Sequence, residues 1–184
     1  LIDKRAQFIK GDLLNTNSIK DAISDCDAVM HFAGLIIVPE SIDKPAEYFK
    51  SNLVGSINLL DAMRSRDVKK MVFSSSAAVY GEPVKVPIKE EDIKHPVTPY
   101  GSSKLAFENF LSTYHKCYGI KSASLRYFNA YGPNEMHKPE THAIPNFIIN
   151  ALKKRPINIY GDGNQIRDFV FIKDMVDAHI LALK

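Results

Sequence analysis

The sequence of 184 residues predicts an α/β fold built on a parallel sheet, on three observations. Short apolar runs alternate with longer stretches of helical period, the pattern of strand–helix–strand units whose crossovers lay the strands parallel. The composition is that of an ordinary globular protein, with 45% hydrophobic and 24% charged residues and no biased tract. The length suits one domain or slightly more, and neither an internal repeat nor a flexible linker divides it.

The first strand is expected at Gln7–Lys10, ending at Gly11-Asp12, and the first helix at Asn17–Ser24. A second strand, Ala28–Phe32, stops at Ala33 and Gly34, small residues that let a ligand approach the backbone closely. A long helix is expected over Ala46–Arg64, and its run from Asn52 to Asp61 is mostly core-facing by period. A buried asparagine there must find hydrogen-bond partners. The third strand, Met71–Ser75, is an apolar run that stops at the hydroxyls of Ser74, Ser75 and Ser76. A helix over Pro99–Tyr118 follows the loop Lys94-His-Pro-Val-Thr-Pro99, whose closing proline suits a first helical turn. Beyond it come a strand at Ser122–Tyr127, a helix at Ala143–Lys154, two short strands at Ile157–Tyr160 and Phe169–Phe171, and a helix from Lys173 to the end. The stretches Pro83–Pro99 and Pro133–Pro145 are expected as long loops that line a site.

Several function classes are disfavoured. The net charge is only +3, and the basic clusters Arg66-Asp-Val-Lys-Lys70 and Lys153-Lys-Arg155 fall at helix ends, where cations complement the macrodipole. No basic stripe with interleaved aromatics offers a nucleic-acid surface. No apolar run approaches the roughly 18 residues of a membrane span, and Leu-Ile-Asp-Lys-Arg is not a signal peptide, so no membrane partner is expected and the expected compartment is the cytoplasm. Cys26 and Cys117 have no metal-type spacing and read as buried or incidental thiols; no metal is expected.

The chemistry concentrates in Ser76, Tyr100 and Lys104. Tyr100 and Lys104 lie one helical turn apart and so share a helix face. An ammonium beside a phenol favours the phenolate, lowering a pKa of about 10 until tyrosine serves as a base near neutral pH. Ser76, at a strand end, adds a hydroxyl where one reacting alcohol meets all three.

The stretches Gly11-Asp12-Leu13, His31-Phe32-Ala33-Gly34, Asn52-Leu-Val-Gly55-Ser56, Ser74-Ser75-Ser76-Ala-Ala-Val-Tyr80-Gly81, Tyr100-Gly-Ser-Ser-Lys104, Arg126-Tyr127-Phe128-Asn129 and Arg167-Asp168 occur in that order. In these the chain resembles the extended short-chain dehydrogenase/reductase family, the NAD-dependent epimerases and dehydratases, and within it the UDP-glucose 4-epimerase group. The resemblance implies a Rossmann-like doubly wound parallel sheet, with ligands beyond the carboxyl ends of the strands. It further implies that residues 1–184 are a partial NAD-binding domain, with the substrate-binding portion starting from about residue 130. The family's first strand and Gly-x-x-Gly-x-x-Gly turn are not found, and the other end stops within an apolar helical pattern. An internal fragment of a longer enzyme, inactive by itself, is therefore expected.

The resemblance also implies roles for residues. Ser76, Tyr100 and Lys104 are the catalytic group. Asp12 and Leu13 sit at the adenine, Phe32, Ala33 and Gly34 at the cofactor ribose and phosphate, and Tyr127 and Phe128 around the nicotinamide. Asn52 supports the lysine and cofactor region, Ser74 lies beside the cofactor, and Lys104 reaches the nicotinamide ribose. Asn129 and Arg167 hold the substrate diphosphate, which suits a planar fork of donors, and Ser76 and Tyr100 touch the sugar. His31 reads as structural. The implied reaction is epimerisation at C4 of a nucleotide-diphosphate sugar, as in galactose metabolism, through a 4-keto sugar and a resident NAD. Dehydratases of the family carry an Asp-Glu pair after the residue matching Ser76; here stand Ala77 and Ala78, whose methyl groups move no protons. A 4,6-dehydratase stays an alternative, as do decarboxylating and uronate-epimerising relatives and a non-catalytic dinucleotide-binding relative. The helices at Ala46–Arg64 and Pro99–Tyr118 correspond to those that pair family members as homodimers through a four-helix interface.

Overall fold

The computed structural model describes residues 3–135, 142–159 and 161–184. They fall into two compact units, one made of the residues up to Arg126 with Ala182–Lys184, the other of Tyr127–Leu181.

The first unit runs α1 (Thr16–Ala22), β1 (Val29–His31), α2 (Val38–Asp43), α3 (Pro45–Tyr48), a π-helical segment (Phe49–Val54), α4 (Gly55–Ser65), β2 (Lys70–Ser74), a 3-10 turn (Ala77–Tyr80), α5 (Pro99–Tyr118) and β3 (Lys121–Leu125). Its sheet has the order β1-β2-β3 with both pairings parallel, Met30 beside Val72 and Val72 beside Ala123. The central strand buries Met71, Val72 and Phe73, as a parallel strand covered on both faces does. Phe73 meets Phe107 of α5 edge-on, with ring centroids 4.7 Å apart. Leu59, Leu60 and Met63 of α4, Leu111 of α5 and Ile19 of α1 complete the same core. The helix α5 keeps the bounds expected for it because both ends are encoded locally. Thr98 Oγ1 accepts from Gly101 N, Pro99 opens the first turn, and Gly119 closes the last in the left-handed conformation at φ +71°.

Other expectations need correction. Gln7–Lys10 forms no ladder among the described residues, and Phe8 is 75% exposed. A strand exists only through a neighbour that takes its backbone groups, and none of the described residues pairs with this segment. The long helix expected over Ala46–Arg64 is a continuous path of three pieces, because its middle widens into the π-helical turn. The helix α2 and the 3-10 turn after Ser76 are additional. Cys26 and Cys117 are exposed. No helix of the described residues is long and apolar enough to cross a membrane.

In the second unit, β4 (Asn129–Tyr131) pairs in parallel with β5 (Phe169–Phe171), and the helices are α6 (Ala143–Leu152) and α7 (Ile172–Leu183). The strand expected at Ser122–Tyr127 ends at Leu125, while β4 was not expected. Residues 157–159 form no ladder, Ile159 being 63% exposed, and Tyr160 lies outside the described residues. Much of the stretch Pro133–Pro145 also lies outside them.

Candidate active site

Ser76 sits just beyond the carboxyl end of β2 in an extended conformation, and its Oγ accepts from Ala78 N at 3.2 Å, capping the 3-10 turn. That turn packs against the start of α5. A Cβ built on Gly101 would lie 2.6 Å from Ala78 O and 3.0 Å from Pro96 Cβ, so only glycine permits the contact that brings Ser76 to Tyr100. Gly101→Ala is expected to cost about 1–3 kcal/mol of stability through overpacking. It should also lower kcat of the full-length protein about tenfold or more by displacing Ser76 from Tyr100. Denaturant titration beside steady-state kinetics checks both, and an alanine variant with unchanged kcat would refute the role given to this contact.

Tyr100 and Lys104 project from one face of α5, and both are buried. Burial raises the Tyr100 phenol above its ordinary value, opposed by a hydrogen bond with the Ser76 side chain. Burial also lowers the Lys104 ammonium to about 8. Its Nζ donates to Ser74 O at 2.9 Å and lies 5.8 Å from the centroid of the Tyr100 ring and 4.9 Å from that of Phe73. Burial therefore outweighs the Lys104 charge in setting the direction in which the phenol moves. The same burial that isolates the pair weakens the ammonium, and its hydrogen bond goes to a backbone carbonyl.

Asn52 occupies the π-helical turn, a feature often found at functional sites. Its Oδ1 accepts from Leu35 N at 2.7 Å, its Nδ2 donates to Leu35 O at 2.9 Å, and Nδ2 also reaches Ser103 Oγ at 3.4 Å. It thus clamps the loop after β1 and touches the neighbour of Lys104, not Lys104 itself. A Cβ on Gly34 would lie 3.0 Å from Asn52 Oδ1, so the chain passes the clamp closely there. Phe32 is 56% exposed at the end of β1, and Ala33 and Gly34 are exposed beside it. His31 is buried, with Nε2 at 2.7 Å from Ser56 Oγ. Ser56 Oγ donates to Asn52 O, so the His31 Nε2 must carry the proton it shares with Ser56. Burial, and secondarily the charge of Lys104, push this imidazole down to about 4, which keeps it neutral.

Asp12 is exposed, and its Oδ1 accepts from Leu14 N at 2.9 Å, a turn before α1, whose N-cap is Asn15. Leu13 packs against the core, and its carbonyl accepts from Asn58 Nδ2. The stretch Pro83–Pro99 encloses a cavity of about 440 Å³ walled by Tyr80, Val84, Ile88, Ile93 and His95, among others; Ser76, Tyr100 and Lys104 do not line it.

Within the second unit, the Tyr127 hydroxyl is hydrogen-bonded to the imidazole of His179, and the rings stack at 5.4 Å. Burial pushes this phenol up to about 12. Phe128 is partly exposed; Asn129 is exposed, and its Nδ2 donates to Asp168 O at 2.8 Å. Arg167 is exposed, and its Nη1 donates to Ile166 O.

The whole chain, residues 1–184, matches the family described as the NAD dependent epimerase/dehydratase family. The chain belongs to that family. It is 43% identical to a UDP-glucose 4-epimerase of Lactobacillus helveticus over all of its own length and 60% of the relative's. In structure it resembles the UDP-glucose 4-epimerase of Thermotoga maritima solved with UDP-glucose, at a TM-score of 0.95 and 34% identity, covering 100% of this chain and 60% of that one. It is also similar to a UDP-glucuronic acid 4-epimerase of Bacillus cereus solved with UDP-glucuronic acid and NAD, at a TM-score of 0.89 and 34% identity, covering 100% of this chain and 57% of that one. The chain thus spans about 60% of the length of the curated relatives it matches.

In this epimerase/dehydratase family member, two neighbours of the α5 face that carries Tyr100 and Lys104 escaped the sequence. Ser103 links Asn52 to the backbone of Tyr100, since its Oγ donates to Tyr100 O at 2.7 Å. Glu108 continues the Tyr100–Lys104 line by one more turn of α5 but pairs with Arg126, with Nη2 to Oε2 at 2.7 Å. The helical spacing was visible in the sequence; the partner, far along the chain, was not.

Proposed function

We propose that the full protein carrying this chain is an NAD-dependent nucleotide-sugar 4-epimerase. What supports it most is one arrangement, Tyr100 and Lys104 buried on a single face of α5 with Ser76 hydrogen-bonded to the tyrosine. The residues present fit the cofactor. The chain passes Asn52 at Gly34 closely, a Cβ there lying 3.0 Å from Asn52 Oδ1, and exposed small residues follow β1 at the carboxyl end of the sheet, where dinucleotides lie. Phe32, Ala33, Gly34 and Lys104 would hold it, with Asp12 and Leu13 towards the adenine and Asn52 and Ser74 behind the lysine. NAD, when bound, supplies the acceptor and donor of the C4 hydride, through a 4-keto sugar, together with a positively charged ring.

Tyr100 takes the proton of the sugar 4-hydroxyl and returns it when the opposite epimer forms. Ser76 has one hydroxyl proton, which it donates to the phenolate before the transfer and to the sugar oxygen once the phenol is neutral. Lys104, protonated below about 8, contributes the fixed positive charge. Ala77 and Ala78 supply no acid or base for eliminating water, so the oxidised sugar is reduced again. From the resemblance we also assign Tyr127 and Phe128 to the nicotinamide, and Asn129 and Arg167 to the substrate diphosphate. Exposed apolar residues on the π-helical turn and α5, namely Phe49, Val54 and Phe110, support pairing of two copies, and a monomeric mass by light scattering would refute it.

A second reading, a uronate 4-epimerase, is favoured by the likeness to the B. cereus enzyme. The test is to incubate the full-length protein with UDP-galactose and no added NAD, then with UDP-galacturonate, and to identify products by chromatography. UDP-glucose from the first establishes a 4-epimerase with resident cofactor, whereas turnover of the uronate alone establishes the second reading. A 4-keto-6-deoxy product would overturn both. In the active assay Arg167→Ala should raise KM by about 10- to 100-fold, the worth of a charged hydrogen bond, with kcat less affected.

A further inference from the structure

The Ser76 turn is held by an ion-pair network outside the reacting groups. Arg126 and Glu108 form a two-pronged pair, Nε to Oε1 at 3.0 Å and Nη2 to Oε2 at 2.7 Å, with side chains 22% and 9% exposed. Each then uses what remains. Glu108 Oε1 accepts from Ser75 Oγ at 2.6 Å, on the residue preceding Ser76. Arg126 Nη1 donates to the Tyr80 hydroxyl at 2.8 Å, at the far end of the same turn, and to Glu90 O at 3.2 Å in the loop beyond. The guanidinium also lies 5.2 Å from the Tyr80 ring centroid. Both ends of the segment that presents Ser76 are therefore tied to one fork.

The network has an electrostatic side. Glu108 follows Lys104 by one turn of α5, so their side chains are neighbours on the helix surface. Yet no carboxylate among the described residues pairs with Lys104, because Glu108 is drawn to Arg126. Among the described residues His31 from β1 feels the charge of Lys104 and Tyr48 from α3 feels Tyr100, while the Glu40 carboxylate of α2 accepts from the Tyr48 hydroxyl at 3.0 Å. A Glu108 deprived of the guanidinium would leave an unpaired carboxylate one turn of α5 from Lys104.

We propose that Arg126 is a positioning residue for the reaction, holding Glu108 away from Lys104 while its fork fixes both ends of the Ser76 turn. This rests on the proposed use of Tyr100 as the base. Its test also reads a quantity that does not need turnover. In the full-length protein, ultraviolet difference titration against Tyr100→Phe in each background isolates the Tyr100 phenol. Arg126→Met is expected to raise its pKa by about one unit, because a bare carboxylate nearby opposes the phenolate. At neutral pH kcat should fall about tenfold with KM within about twofold. Adding Glu108→Gln should return most of the shift, and Arg126→Lys, which keeps the charge, should shift the phenol little. A folded Arg126→Met protein with an unmoved phenol overturns the proposal, and so does a double variant as shifted as the single. Should Arg126→Met not fold, the lysine variant and Glu108→Gln decide, since a phenol raised by either contradicts the charge argument. If the wild type turns over no nucleotide sugar, the proposed function fails while the titration still decides the role of Arg126.

Discussion

Tyr100→Phe is expected to reduce interconversion by the full-length protein by about 10²- to 10⁴-fold, the range that a positioned general base supplies. The substitution removes one oxygen from a buried ring. The packing of the ring is retained, and the stability lost with the hydrogen bond to Ser76 is about 1 kcal/mol. KM should therefore change little. The wild-type pH profile carries the same information. Burial raises the phenol, so the fraction present as base, and with it kcat, should increase with pH until Lys104 begins to lose its proton near 8. Retention of more than about a tenth of the activity by the phenylalanine variant would remove Tyr100 from the mechanism.

Lys104→Met should abolish turnover and yet make the fold more stable at neutral pH. In the folded protein burial holds the lysine at about 8, against 10.5 for the ordinary side chain. Between those values the unfolded chain binds more protons than the folded one, so wild-type stability rises with pH through this window and the penalty is complete below about 8. The shift corresponds to roughly 3 kcal/mol, from which the hydrogen bond to Ser74 O returns about 1 kcal/mol. Methionine fills a similar volume without the charge. A net gain of about 1–2 kcal/mol is expected at pH 7. Urea denaturation at pH 7 and at about pH 10 checks this, because the gain should shrink as the wild-type lysine deprotonates. A variant less stable than wild type at both values would show that the ammonium is not strained by burial.

Legibility followed the range of the forces involved. The helix α5 was readable to its ends because Thr98, Pro99 and Gly119 act on their own neighbours. Asn52 was marked as a buried amide in need of partners, but Leu35 and Ser103 became its partners only through the π-helical turn, which has no sequence signature. The strand β4 escaped notice because its three residues gain their hydrogen bonds from β5, far along the chain. The segment Gln7–Lys10 shows the reverse case, a sequence fit for a strand with no ladder partner among the described residues. Arg126 reads in sequence only as the first residue of the Arg126-Tyr127-Phe128-Asn129 stretch, whereas in the fold its donors are spent on Glu108, Tyr80 and Glu90.

The sequence by itself determined the parallel α/β class and the shared face of Tyr100 and Lys104, since these depend on periodicity and on caps within a few residues, and it marked Ser76 as their proposed partner. Only the tertiary structure decided which charges the trio feels. Burial raises Tyr100 and lowers Lys104, Glu108 is given to Arg126 and not to Lys104, and the Ala78 carbonyl packs against α5 in the space left by Gly101. Desolvation and ion pairing depend on distances between residues remote in the chain, and those distances exist only once the chain has folded.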